Sequence, residues 1–182
     1  MELTLLQKKI NQYREILKNT DFYREKWETE TRGMIVSAIE SIIEQTNLDA
    51  EVEIHDQYAG LEGVSLVMGI KDSGIFERLD DDLKKSLIRS NGSLLFQQLF
   101  NGKISVWINY PFIEGIGEPR PPSMLEILRP QELKEVNILR FAEQFIDDIT
   151  AWEDFDDDKS PAQGIGFNHP QPNLKQSNEL HK

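Results

Sequence analysis

The stretch Ser93-Leu-Leu-Phe-Gln-Gln-Leu-Phe-Asn-Gly-Lys-Ile-Ser-Val-Trp-Ile-Asn-Tyr110 decides how this chain folds. Two strand-like runs meet at Asn101-Gly102, a pair suited to the type I′ turn, whose two central residues both need positive φ. That turn sets a register in which Phe100 faces Lys103, Leu99 faces Ile104, Gln97 faces Val106 and Leu95 faces Ile108. It predicts one aliphatic core face formed by Leu95, Leu99, Ile104, Val106 and Ile108. The other face then carries Leu94, Phe96, Gln98, Ser105, Trp107 and Asn109, an aromatic cross-strand pair set among amides and a hydroxyl.

On the N-terminal side of this hairpin the sequence changes period twice. Leu3, Leu6, Ile10, Tyr13 and Leu17 repeat at alternating spacings of three and four, a narrow helical stripe of the kind that packs on one other helix. Asn19, Thr20 and Asp21 carry N-cap chemistry, so a second helix is expected from near Phe22. Trp27, Met34, Ile35, Ala38, Ile39, Ile42 and Ile43 continue it to about Asn47; a single bent helix is the other possibility. After Asn47 the period falls to two. Val52 and Ile54 alternate with Glu51, Glu53 and His55, and Val64, Leu66, Met68 and Ile70 alternate with Ser65, Val67 and Gly69, each a strand pattern. Lys71 to Gly74 reads as a turn followed by a short apolar piece at Ile75 and Phe76. Asp80, Asp81 and Asp82 ahead of Leu83, Leu87 and Ile88 predict a short helix closed by Asn91-Gly92.

Beyond the hairpin, Pro111 to Pro122 reads as a loop broken by Gly115, Gly117 and four prolines. Met124 to Leu128 is expected to be an edge strand. Pro130 suits a helix start, and Leu133, Val136, Ile138, Phe141, Ala142, Phe145, Ile149 and Trp152 mark a long amphipathic helix. The expected organisation is one α+β domain over 1–155, helical in 1–47, mainly β with one short helix in 50–128, and helical in 130–153. Its sheet is antiparallel, of four to five strands, with two N-terminal helices and one long C-terminal helix packed on it. The composition of 156–182 predicts a disordered or surface-draped tail.

Composition narrows the function. The chain has 182 residues, 20 Lys and Arg against 32 Asp and Glu, and no cysteine. That length suits one domain, since single cores occupy roughly 100–200 residues. Without cysteine there is no disulfide framework, thiolate metal site or thiol nucleophile. A net charge of −12 argues against nucleic acid and against an anionic membrane surface, both of which select clustered Lys and Arg. The start carries no basic region ahead of an apolar run, and no apolar stretch approaches the ~20 residues that span a bilayer. A cytoplasmic location is therefore expected.

Four groups of residues are candidates for function. Glu51, Glu53 and His55 project from one strand face about 7 Å apart, the side-chain types of an acid–base or divalent-metal site; the alternative is a solvated edge strand. The crowding of Glu153, Asp154, Asp156, Asp157 and Asp158 opposes the helix dipole and lacks the Gly and the twelfth-position Glu of a calcium loop. In the loop, Phe112, Ile113 and Ile116 are candidates for partner contact or for folding back on the sheet, and Gly115-Ile-Gly117 lacks the rest of a dinucleotide fingerprint. No Gly-x-Ser-x-Gly, Ser-x-x-Lys or His-Glu-x-x-His is present, and no cofactor or metal is expected.

The remaining group, Leu94, Phe96, Gln98, Trp107 and Asn109, has the composition of a protein interface. With the narrow first-helix stripe it points to a non-catalytic acidic interaction module, homodimeric or binding a basic protein. The competing arrangement is intramolecular, with the N-terminal helices on one sheet face and the C-terminal helix on the other. The alternative function is an enzyme using Glu51, Glu53 and His55.

Overall fold

A computed structural model describes residues 3–56, 61–80 and 83–154 of the chain. The acids Asp81 and Asp82 and the tail over 156–182 lie outside those residues. The N-terminal quarter is one continuous helix: α1 (Thr4–Lys26) runs through a π-helical turn at Trp27–Thr31 into α2 (Arg32–Thr46). Asn19 to Asp21 therefore do not start a second helix. The irregularity comes later, at the π-helical turn, where the Thr31 hydroxyl donates to the Lys26 carbonyl and Trp27 Nε1 donates to Glu62 at 2.8 Å. Widening one turn of the helix rotates the residues C-terminal to it, bringing Trp27, Ile35 and Ile39 onto one buried face. Asn47 ends the helix in the left-handed conformation at φ 53°, an arrangement that Asn tolerates.

The chain then forms β1 (Glu51–His55), β2 (Gly63–Val67), β3 (Ile70–Arg78), β4 (Lys84–Ser90), β5 (Ser93–Gln98), β6 (Ile104–Asn109), β7 (Phe112–Ile113) and β8 (Ser123–Leu128). A 3₁₀ turn at Pro130–Glu132 leads into α3 (Glu135–Glu153). The strands make two antiparallel sheets, β1-β2-β5-β6-β8 and β3-β4-β7, so the fold is α+β as expected. Two expectations fail between residues 71 and 92. The segment around Leu83 and Leu87 is strand β4 and not a helix; its backbone pairs with β3 from Ile70↔Ser90 to Arg78↔Lys84. Lys71 to Gly74 is not a chain reversal but an irregularity within β3, where the Asp72 side chain accepts the Gly74 N–H and Gly74 takes φ +73°.

β2–β3 and β4–β5 are the two arms of one long bent hairpin. Both arms turn at a glycine of positive φ, Gly69 at +73° and Gly92 at +89°. Across the bend Met68 N donates to the Gly92 carbonyl and Asn91 N to the Gly69 carbonyl. The near half belongs to the five-stranded sheet. The far half is an arm whose Ile75, Phe76, Leu79, Leu83 and Ile88 are exposed. Within the 111–122 segment, Phe112 and Ile113 add to this arm by pairing with Ser90 and Arg89.

The hairpin at Asn101-Gly102 closes differently from the expected type I′ turn. Gly102 has φ +74°, but no non-glycine residue except Asn47 has positive φ among the described residues, so a type I′ turn is excluded. Gly102 N donates to the Leu99 carbonyl at 2.8 Å and Leu99 N to the Lys103 carbonyl at 2.7 Å. This is a three-residue loop, a type I turn closed by a left-handed glycine. The extra loop residue slips the register by one: Leu94↔Ile108, Leu95↔Trp107, Phe96↔Val106, Gln97↔Ser105, Gln98↔Ile104. In a strand such a slip exchanges every side chain between faces.

The core is set by that register. Leu94, Phe96, Ile104, Val106 and Ile108 are fully buried with Val64 and Leu66 of β2, Trp27, Ile35 and Ile39 of the N-terminal helix, and Ile138, Phe141 and Phe145 of α3. The N-terminal and C-terminal helices therefore share one face of the five-stranded sheet instead of dividing the two faces between them. The Tyr110 hydroxyl donates to Asp148 of α3, and Glu126 of β8 receives Arg140 of α3 at 2.6 Å. At the end of α3, Arg89 pairs with Glu153 and lies 5.0 Å from the Trp152 ring centre. That pairing accounts for the acid at Glu153, which the helix dipole alone disfavours.

Candidate functional site

With α2 and α3 on one face, no described helix packs on the other face of the five-stranded sheet. Residues directly paired in an antiparallel sheet point to the same side, so the ladders place three rows across it. The first row is Glu51, Val67, Ser93 and Asn109; the second is Glu53, Ser65, Leu95, Trp107 and Met124; the third is His55, Gly63, Gln97, Ser105 and Ile127. Glu51, Glu53 and His55 are thus brought to the same surface as Trp107 and Asn109. Leu94, Phe96 and Gln98 are not, because the slipped register turns them under the helices; Leu94 and Phe96 are 0% exposed.

Hydrogen bonds hold the polar side chains of this face in place. Asn109 Nδ2 donates to Ser93 Oγ at 2.8 Å, and Trp107 Nε1 donates to Ser105 Oγ at 2.9 Å. The Ser105 hydroxyl in turn donates to the Gln97 carbonyl at 3.3 Å. Trp107 therefore lies along its own strand with its N–H satisfied, leaving the ring as an apolar platform beside Leu95 and Met124. Met124 and Ile127 at the β8 edge are 51% and 45% exposed.

His55 Nε2 lies 2.9 Å from Ser65 Oγ and 3.9 Å from Glu53 Oε2. A hydroxyl–imidazole–carboxylate relay needs the hydroxyl and the carboxylate on opposite ring nitrogens. Here both approach the same nitrogen, and Ser65 is only 3% exposed. The described residues hold no group of three His, Asp or Glu side chains placed to share a metal ion.

Between Glu53, His55, Leu61, Ser65, Leu95 and Gln97 the face dips into a concavity of about 270 Å³. Enclosed small-molecule sites usually occupy roughly 300–1,000 Å³ and surround their ligand; this hollow is at the small end and lies on an open sheet. Four inter-strand spacings by five residues give the face about 20 Å by about 15 Å, roughly 300 Å². Globular partners bury about 800 Å² on each side, so an area this size matches a short segment. The three rows contain two carboxylates and neither Lys nor Arg.

The loop residues lie elsewhere. Phe112 and Ile113 sit on β4, and Ile113 bridges to Ile116 within the loop. The spacing of Glu51, Glu53 and His55 is enough to place them on one surface. Sequence reasoning places Ser105 on this face with Trp107 and Asn109 but misses Ser93, Leu95 and Gln97, whose side depends on the β5 register; Ser65 joins them through its pairing with Leu95. Compared with protein-family models, with curated proteins and with solved structures, the chain matches none. No helix among the described residues is long and apolar enough to cross a membrane.

Proposed function

We propose that this protein is a non-catalytic interaction module whose uncovered sheet face receives a short basic, partly aliphatic segment of a partner protein. The observation that carries this reading is the one-sided packing: both helical units sit on one face, and a half-buried Trp107, Leu95 and Gln97 line the other. A Trp face flanked by Leu and Met offers apolar area and a cation–π surface to Lys or Arg. Glu51 and Glu53 at the edge supply the opposite charge, which raises association rate and selects the partner's sign. The amides of Gln97 and Asn109 offer donors and acceptors to an extended backbone.

Selection of random displayed peptides on the immobilised full-length chain tests this reading. Enrichment of Lys- or Arg-containing sequences is expected, and the double variant L95A/W107A is expected to lose it while keeping its near-ultraviolet circular dichroism. Equal enrichment on the variant, or enrichment of acidic peptides, would reject the reading.

A further inference from the structure

Helix α1 stands clear of the body for most of its length. Only Tyr23 among its residues is buried, and contact with the sheet begins where Gly102 meets Thr20, Tyr23 and Arg24. Arg24 donates to the Phe100 carbonyl at 2.7 Å at the same place. From Leu3 to Asn19 the helix extends about 25 Å at 1.5 Å per residue. On it Leu3, Leu6, Tyr13 and Leu17 are 54%, 53%, 61% and 46% exposed, and with Ile10 they form an unbroken a/d seam. An isolated helix of this length is marginal in water.

From this we infer that α1 is a dimerisation element, its seam occupied antiparallel by α1 of a second copy of this chain. The flanking charges choose the occupant and its direction. Residues 4–26 carry Lys8, Lys9, Arg14, Lys18, Arg24 and Lys26 against Glu15, Asp21 and Glu25, a basic helix on an acidic protein. Beside the seam stand Gln7 and Arg14 at e positions and Lys9 and Ile16 at g positions. In a parallel pair each Lys9 would face Arg14 of the partner helix, like against like, because g pairs with the following e. In an antiparallel pair Leu6 lies across from Leu17, Ile10 from Tyr13 and Leu3 from Thr20. Lys9 then lies beside Ile16 and Gln7 beside Arg14, so the repulsion is removed and the Lys9 stem covers an apolar neighbour.

The lengths agree as well. The seam ends at Leu17 and the body begins at Thr20, so an antiparallel partner of the same free length fills the exposed stretch and places the two bodies at opposite ends. This surface is separate from the sheet face, so either proposal can fail without the other.

Sedimentation of the full-length chain, together with cross-linking of engineered cysteines, tests the inference. The chain has no cysteine of its own, so every disulfide formed reports the introduced positions. A dimer is expected, with Leu6→Glu and Leu17→Glu each weakening it at least tenfold while the near-ultraviolet signal of the core is unchanged. A mixture of Leu6→Cys and Leu17→Cys chains is expected to cross-link as a heterodimer, and Leu17→Cys alone is not. A monomeric wild type, a dimer indifferent to Leu6→Glu, or efficient Leu17–Leu17 cross-linking through the Leu17→Cys chain alone would each overturn it.

Discussion

At Gly102 a β-carbon would stand 2.7 Å from Tyr23 Cβ and 3.0 Å from the Thr20 carbonyl, at a φ of +74°. Two independent costs meet there, a left-handed backbone and a collision with α1. Gly102→Ala is therefore expected to destabilise the protein by roughly 1–3 kcal/mol, from backbone strain alone upwards, measured as a lower urea midpoint with unchanged slope. The same residue explains why the hairpin is only half legible in the sequence. Asn-Gly serves a type I′ turn, where both residues have positive φ, and a type I turn with a following left-handed glycine, where only the Gly does. The strand gives no help in choosing between them. Leu94-Leu95 and Gln97-Gln98 are doublets, so a slip of one residue leaves Leu and Gln on either face. Only Phe96 differs, and nothing local says which side an aromatic must take.

Among the elements, α3 is held to the sheet by polar contacts as well as by its apolar stripe. Tyr110, at the end of β6, donates its hydroxyl to Asp148 and carries the Arg120 guanidinium 3.7 Å above its ring. Burial pushes the Tyr110 phenol above its ordinary range, with the Asp148 carboxylate pushing the same way and Ser123 and Arg120 opposing. Linkage gives the sign: the folded state holds this proton more tightly than the unfolded chain. Its contribution to stability is thus complete below the ordinary tyrosine range and is lost as pH rises through the raised folded value. Ultraviolet titration of tyrosinate is expected to show a late-ionising tyrosine that Tyr110→Phe removes. Persistence of that late component in the variant would contradict the assignment.

Legibility varies among elements for a physical reason. Helices α2 and α3 and strand β6 have periods set by burial against one large core, and their sequence patterns agree with the structure. Strand β4 reads as a helix because Leu83 and Leu87 are four apart, while its strand state comes from pairing with β3 that no local window contains. The π-turn at Trp27–Thr31 is invisible in the sequence for a related reason: it is a response to docking Trp27, Arg32 and Glu62 together, with Arg32 and Glu62 3.0 Å apart.

For the whole molecule, both helical units occupy one face of the five-stranded sheet, and no described helix covers the Trp107 face. The reading of this face rests on the β5 register that divides Leu94 from Leu95. These are adjacent residues of the same type, so one substitution at each compares the two faces directly. The measurement is the equilibrium unfolding free energy of Leu94→Ala and Leu95→Ala. Leu94 is fully buried, and its truncation is expected to cost about 2–5 kcal/mol, the range for a core Leu that leaves a cavity. Leu95 is half-buried on the open face, and its truncation is expected to cost about 1 kcal/mol or less, in proportion to the apolar area lost. The reverse order would place Leu95 in the core, restore the register of a two-residue turn and contradict the packing of both helical units on the Leu94 face.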